Sequence, residues 1–363
     1  MSIASEPHAE QPTGSPAAGP ARTSVTSRWG ALSVRFENLY IGLVLVALLA
    51  IFTLWAPPET FLTSDNLSNI ALDASQLLIL SSGVALLIIA GGLDLSVGAV
   101  VVFSAIVSGK TMLAIAGPVE ESVTKSAGQL LPAVLAGLGV AVLSGWAWGA
   151  LNSLITLKLR VPPIIATLAT LSAATGLAQV VSKGVNVSSL PIQLQQHFGG
   201  AKAFDVVPWP VVVAAVVVAV LWVVLSQMRF GLRTYAIGSN AEAAARSGIP
   251  VGRHMLALYT LVGLLAGVVS FIDLSRFGTA SLSGHTQDAL NAIAAVVIGG
   301  VSLFGGRGRM SGVVIGVFIP AVLANGFVVV QVDPFWQNVA VGAVLVLAVY
   351  IDQLRRGAHN REG

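Results

Sequence analysis

Arg229-Phe-Gly-Leu-Arg-Thr-Tyr-Ala-Ile-Gly-Ser-Asn-Ala-Glu-Ala-Ala-Ala-Arg-Ser-Gly-Ile-Pro-Val-Gly-Arg253 is the longest polar interruption between two apolar runs that also carries several arginines. Ser239 and Glu242 have the Ser-x-x-Glu spacing of a capping box, in which each side chain satisfies an unpaired amide of the first turn. The Ala-Glu-Ala-Ala-Ala-Arg run that includes Ala243 forms helix readily. Gly248 can take the left-handed cap conformation, and Pro250 blocks continuation. Isolated helices shorter than about 12–15 residues rarely persist in water. A helix over Ser239–Gly248 must therefore lean on the rest of the chain or on a partner. The competing reading is a solvated connecting loop, and the flanking sequence decides between the two.

Working outward, the surroundings are apolar almost everywhere. Of 363 residues, 55% are hydrophobic and 10% charged, and mean hydropathy is +0.85. Average soluble domains are about 25% charged, so this composition cannot cover a water-facing surface. The chain is expected to be an all-α, polytopic helical membrane protein. It has no cysteine, which excludes disulfides, thiolate chemistry and cysteine metal sites. The five histidines, His8, His197, His254, His285 and His359, lack metal-ligand spacing and read as isolated surface or loop residues.

A helix needs about 20 apolar residues to cross the bilayer. Candidate spans fall near 38–56, 68–90, 98–116, 130–156, 164–182, 208–226, 254–272, 289–304, 310–330 and 336–351, ten in all. The eighth is short and Gly-rich, and it and the ninth can instead form a broken or re-entrant pair around Gly305–Arg309. Residues 1–36, rich in Ala, Pro, Ser, Gly and Thr, read as a disordered cytoplasmic tail. Residues 37–352 form the transmembrane domain and 353–363 a second cytoplasmic tail. With the N-terminus inside, the outer side holds only Lys110, Lys125, Lys183, Lys202 and Arg276 of the 19 basic residues. The other fourteen, Arg233 and Arg246 among them, are then cytoplasmic, as the positive-inside rule requires. Both termini are thus expected in the cytoplasm.

The spans lack the groups that several transport chemistries need. Asp73, Lys110 and Asp273 lie toward span ends, with no acid expected at the midplane where coupled carriers place one. There is no arginine row for voltage sensing, no His-Glu-x-x-His, and no phosphate-binding Gly-x-x-x-x-Gly-Lys-Ser/Thr. No catalytic residue, cofactor or metal site is expected, and no nucleic-acid partner. The polar groups inside spans are mild: Gln76, Ser81, Ser82, Asn152, Ser153, Thr167, Thr170 and Ser172. Such groups commonly bond their own helix or a neighbour, and they also suit an uncharged, hydroxyl-rich solute. Gly137, Ala141, Gly145 and Gly149 recur every fourth residue and line one helix face, which favours close helix approach.

Two glycine clusters end inward-running spans: Ile89-Ala-Gly-Gly-Leu-Asp-Leu-Ser-Val-Gly98 and Ile298-Gly-Gly-Val-Ser-Leu-Phe-Gly-Gly-Arg-Gly-Arg309. In the first, Gly91 and Gly92 make the turn, and Asp94, with Ser96, is placed to cap the helix that opens near Gly98. In the second, Gly299, Gly300, Gly305 and Gly306 are the turn residues, with Arg307 and Arg309 as surface anchors.

These stretches, with Val161-Pro-Pro-Ile-Ile-Ala-Thr-Leu-Ala-Thr170, Gly231–Ile249 and Asn291–Gly308, resemble the permease subunits of bacterial ribose-type ABC sugar importers. They match in the family's order over about residues 38–352. The resemblance implies a homodimeric permease in the bacterial cytoplasmic membrane. It would work with ATP-binding cassette ATPase subunits inside and an extracytoplasmic solute-binding protein outside. It also implies that Ser239–Gly248 is the helix that docks on the ATPase, bordered by Arg233, Asn240, Glu242 and Arg246. Asn152, Thr167, Thr170 and Asn291 are the candidate substrate path. Where the family often carries acids in the turn before Ala292, this chain has Ala289 and Asn291, with Asp288 beside them. Other cargoes, such as a nucleoside, an amino acid or a furanone-like signal, remain alternatives, as does a stand-alone carrier.

Overall fold

From Ile79 to Ile89 every residue is apolar, Gly or Ser, and every one is buried. That run is the C-terminal part of α2 (Ser64–Ile89), the axis around which the bundle is built. The computed structural model describes residues 26–117, 124–333, 335–343, 346 and 350, with side chains described from Leu39 onward. The chain divides into two units, Met1–Phe36 and Glu37–Gly363, and the second holds the bundle.

In order, the main helices are α1 (Thr26–Trp55), α2, α3 (Val97–Ala116), α4 (Ala127–Leu157), α5 (Pro163–Ser182) and, after a short helical turn over Ile192–Leu194 and a π-helical one over Gln195–Gly199, α6 (Trp209–Gln227). They continue with α7 (Arg229–Ser239), α8 (Ala241–Arg246), α9 (Val251–Phe277), α10 (Asp288–Ile298) and α11 (Met310–Val329). A two-residue antiparallel hairpin, β1 (Lys202–Ala203) with β2 (Val207–Pro208), precedes α6. Around α2 pack α6, α9, α10 and α11, while α3 and α4 close on the other side of α9.

The expected glycine stripe is present and has a specific partner. A Cβ on Gly145 would stand 2.2 Å from the Gly263 carbonyl oxygen, and one on Gly149 2.3 Å from that of Tyr259. Helices α4 and α9 thus touch backbone to backbone, a packing that side-chain-free positions permit.

Among the described residues, seven helices are long and apolar enough to span a membrane: α2, α3, α4, α5, α6, α9 and α11. The count of ten is not matched. The first expected span is a shorter apolar helix, Leu39–Trp55, within α1. The eighth, expected over 289–304, is the eleven-residue α10, about half the length a crossing requires. The tenth, 336–351, lies partly outside the described residues, as do residues 1–25 of the expected N-terminal tail and all of 353–363.

Candidate functional site at the junction of the glycine turns

Three of the sequence stretches singled out above meet at one end of α2. The Gly306 amide donates to the Ile89 carbonyl at 2.8 Å. Gly238, near the end of α7, is packed so closely here that a Cβ would fall 1.8 Å from the same oxygen. A Cβ on Gly305 would lie 3.2 Å from the Gly91 Cα. Gly91, Gly300, Gly305 and Gly306 all have φ between +73° and +83°, the region where glycine carries no steric cost. Tyr235 of α7 donates to the Gly308 carbonyl at 2.8 Å. Burial pushes its phenol up from the ordinary tyrosine range, and the charge of Arg309 opposes that. Gly92 is pinned differently: a Cβ would meet the side chains of Leu87 and Met255.

The polar stretch 229–250 folds as two helices rather than one, and the capping reading is corrected. Ser239 is the last residue of α7. The cap of α8 is Asn240, whose Oδ1 accepts from the Ala243 amide at 2.9 Å. Asn240 is extended, at φ −161° and ψ 103°, which turns the chain between the two helices. Gly248, at φ +83°, ends the turn as expected. Glu242 and Arg246 pair with each other across one helical turn, and both side chains are mostly exposed. Arg233 is exposed on α7. The α7 anchor is Thr234, fully buried and hydrogen-bonded to His254 Nε2 at 2.8 Å. His254 is therefore a buried tie between α7 and α9, packed against Phe230 with ring centroids 4.2 Å apart and the planes tilted by 37°, and not the isolated loop residue its spacing implied.

The stretch after Gly92 runs into the bundle without helix until α3 begins. Asp94 does not cap the first turn of α3. Its Oδ1 accepts from the Ser96 amide at 2.8 Å and the Ser96 hydroxyl at 2.6 Å. Asn152 Nδ2, on α4, donates to Asp94 Oδ2 at 3.1 Å and to Ser96 Oγ at 2.8 Å. Asn152 Oδ1 in turn accepts from Thr170 of α5 at 2.6 Å. Asp94, Ser96, Asn152 and Thr170 are each at most 2% exposed. Two expected substrate-path residues thus belong to one buried network with the acid of the glycine turn. Thr167 bonds back to the Pro163 carbonyl of its own helix. Asn291 is half-buried on the first turn of α10, and no described hydrogen bond links it to the network.

A second buried cluster lies where two helix starts meet. A Cβ on Gly98, in the first turn of α3, would stand 2.3 Å from the His285 carbonyl oxygen and 3.6 Å from the Asp288 Cβ. Asp288 opens α10, where a carboxylate is favoured by the helix dipole. His285 donates from Nδ1 to Asp288 Oδ2 at 2.6 Å and from Nε2 to Asp273 Oδ2 at 3.1 Å. Burial alone would lower the His285 pKa, but the two carboxylates outweigh it and hold it up at about 10. The imidazolium is therefore the resting form. Neither the burial of His285 nor its partners was legible from its position in the sequence. Among the described residues no cluster has the makings of a metal site.

This geometry sits in a known family. The model of the family described as branched-chain amino acid transport system / permease component matches residues 66–349. The D-allose transport system permease protein of Escherichia coli K12 is 33% identical over 320 residues, covering 88% of this chain and 92% of the relative. The ribose import permease protein of Bacillus subtilis 168 is 35% identical over 318 residues, 88% and 91% of the two chains. The galactose/methyl galactoside import permease protein of Haemophilus influenzae is 35% identical over 321 residues, 87% and 94%. No solved structure matches. A helical bundle with several spanning helices, glycine turns that converge on one end of its central helix, and these full-length similarities place the chain as a multi-pass membrane transport component: it belongs to the branched-chain amino acid transport system / permease component family.

Proposed function

We propose that the chain is the permease subunit of an ATP-driven importer for a monosaccharide such as allose, ribose or galactose. ATP is hydrolysed in separate cassette subunits, cargo is delivered by a solute-binding protein, and the permease works as a homodimer. The α7–α8 end faces the cytoplasm, both chain termini lie on that side, and α8 is the ATPase-docking element. The charge asymmetry of the loops supports this orientation. Strongly apolar residues exposed on α4, α5 and α6, such as Leu143, Val180 and Trp222, suit contact with lipid or a second copy.

One observation carries the coupling part of this reading. Helix α8 is short, exposed and held by its Asn240 cap, while the α7 it continues is joined backbone to backbone to Ile89 and Gly306. A displacement of α8 by an ATPase reaches the Gly91 turn without passing through flexible side chains. From there it reaches Asp94 and the ends of α4 and α5. The buried polar groups of the bundle are mostly hydroxyls and carboxamides, which suits a neutral, hydroxyl-bearing cargo.

The test is uptake of labelled allose, ribose and galactose by proteoliposomes that hold the permease, its ATPase and its sugar-loaded binding protein. ATP-dependent accumulation of at least one is expected. Failure with all three, together with uptake of a nucleoside or amino acid, would move the cargo assignment while leaving the importer reading in place. Accumulation by the permease alone, without ATPase, would overturn the importer reading.

A further inference from the structure

An open cleft of about 380 Å³ lies at the end of the bundle opposite α7 and α8. Its polar lining comes from the first turns of α2 (Asn69, Asp73), the end of α9 (Arg276), the end of α11 (Asn325) and the helical segment after it (Gln337). Asp73 and Arg276 are ion-paired at 2.8 Å, so the lining carries no net charge from that pair. The guanidinium is also fixed over the Phe277 ring, 4.9 Å from its centroid. Asn325 is held in place by reciprocal amide bonds with Asn66, both at 2.9 Å. The lining thus offers three carboxamides, each with donors and an acceptor, beside a neutralised carboxylate–guanidinium pair. A vicinal diol or polyol needs that mixture, because each hydroxyl both donates and accepts. A charged cargo would instead leave the pair unbalanced.

The cleft is not a closed surface feature. Asn66, Asn69, Asp73 and Gln76 follow one another at spacings of three and four along α2, so they line one face of that helix. The stripe leads inward, where Gln76 Nε2 reaches Asp273 Oδ1 at 3.5 Å, and Asp273 is bonded to the buried His285. A row of polar groups therefore runs from the cleft to the meeting point of α3 and α10, separate from the Asp94 network.

We infer that this cleft is a sugar subsite on the outward side of the permease. It receives a neutral monosaccharide through Asn69, Asp73, Arg276, Asn325 and Gln337, and the α2 stripe guides it inward. The inference rests on the sugar-importer reading. The chain has no cysteine, so a single Asn69→Cys substitution places one thiol in the cleft, and Ser188→Cys places a control in an exposed loop outside it. In the reconstituted complex, the reaction of each thiol with an impermeant maleimide is timed with and without allose, ribose or galactose. A sugar that the wild-type complex accumulates should slow Asn69→Cys labelling severalfold and leave Ser188→Cys unchanged. Asn69→Trp, which fills the cleft, should lower uptake of that sugar about tenfold, the loss expected when one or two hydrogen bonds to the cargo are removed. Unchanged labelling and unchanged uptake, in a complex whose wild type accumulates the sugar, would overturn the subsite and leave the importer reading intact. Protection by sugar-free binding protein but by no sugar would make the cleft a docking surface for that protein and overturn the proposal. Absence of wild-type uptake for all three sugars would overturn the cargo reading and the subsite with it.

Discussion

Gly238 is held against Ile89 with no room between them: a Cβ at Gly238 would fall 1.8 Å from the Ile89 carbonyl oxygen and 2.5 Å from the Gly306 amide nitrogen. Both near neighbours are backbone, so neither can swing aside. Alanine is otherwise worth about 1 kcal/mol over glycine inside a helix. Here the clash outweighs that gain, since overpacking costs about 1–3 kcal/mol. Gly238→Ala is expected to lower thermal stability of the detergent-solubilised permease and to reduce uptake. An unchanged melting temperature with full uptake would show that the joint between α7 and the glycine turns is looser than it looks.

Interrupting α8 should uncouple rather than unfold. Ala243 is in the first turn, where proline loses only the bond to the Asn240 cap, so Ala245 is the better position. Ala245 is exposed and past that turn, where proline opposes helix by about 3 kcal/mol. Ala245→Pro should preserve permease yield while abolishing the rise in ATPase activity caused by loaded binding protein. Glu242→Ala and Arg246→Ala should change that rise little, because exposed ion pairs contribute about 0–1 kcal/mol. A full ATPase response in Ala245→Pro would move the docking role to the Gly305–Arg309 turn.

Asn152→Leu should be the most damaging change in the Asp94 network. It leaves Asp94 Oδ2, Ser96 and Thr170 without the partner they share, and a buried polar group left unpaired costs about 1–3 kcal/mol. Asp94→Asn should be milder, because rotating the Asn152 amide restores a donor–acceptor match. The melting temperatures of the two variants decide this. If Asp94→Asn melts like the wild type yet transports nothing, the carboxylate charge itself has a part in transport.

Alkaline pH should loosen the α9–α10 connection. The His285 pKa is held at about 10 in the folded chain, against about 6.5 for an unperturbed histidine. A raised folded-state pKa means that its stabilisation is complete below the unfolded value and is lost as pH rises through the folded one. Asp273 and Asp288 are its direct partners. Stability of the wild type relative to His285→Gln should therefore be greatest near pH 6 and shrink between about pH 7 and 10. A difference in melting temperature that does not change over this range would show that His285 is not the charged link.

Sidedness is open to direct labelling on the cysteine-free background. Single cysteines at Ser188 and Ser283, both exposed, should react with an impermeant thiol reagent added outside intact cells. A cysteine at Ser239, also exposed, should react only after the membrane is opened. Outside labelling at position 239 would invert the orientation.

What the sequence determined by itself was whatever depends on a short run of residues. Hydropathy along the chain placed most of the spanning helices, since a bilayer demands a continuous apolar length of about 20 residues. The spacing of Gly145 and Gly149 foretold close packing of α4, and the motifs of residues 89–98 and 231–249 pointed to the permease family. The Ser-x-x-Glu spacing pointed to Ser239 as the cap whereas Asn240 caps α8; both residue types cap well, and one-residue boundaries are not encoded by local preference. The tertiary structure alone decided which polar residues are buried together. Asp94 finds Asn152 at 58 positions' distance, and Gln76 finds Asp273 at 197. Burial of a charged group is set by the helices that pack around it, and its hydrogen-bond partners come from those helices. No local pattern around His285 records Asp273, whereas the fold brings them to 3.1 Å. The start of α10 likewise packs against Gly98, a contact between segments that are distant in the chain and that no local pattern records.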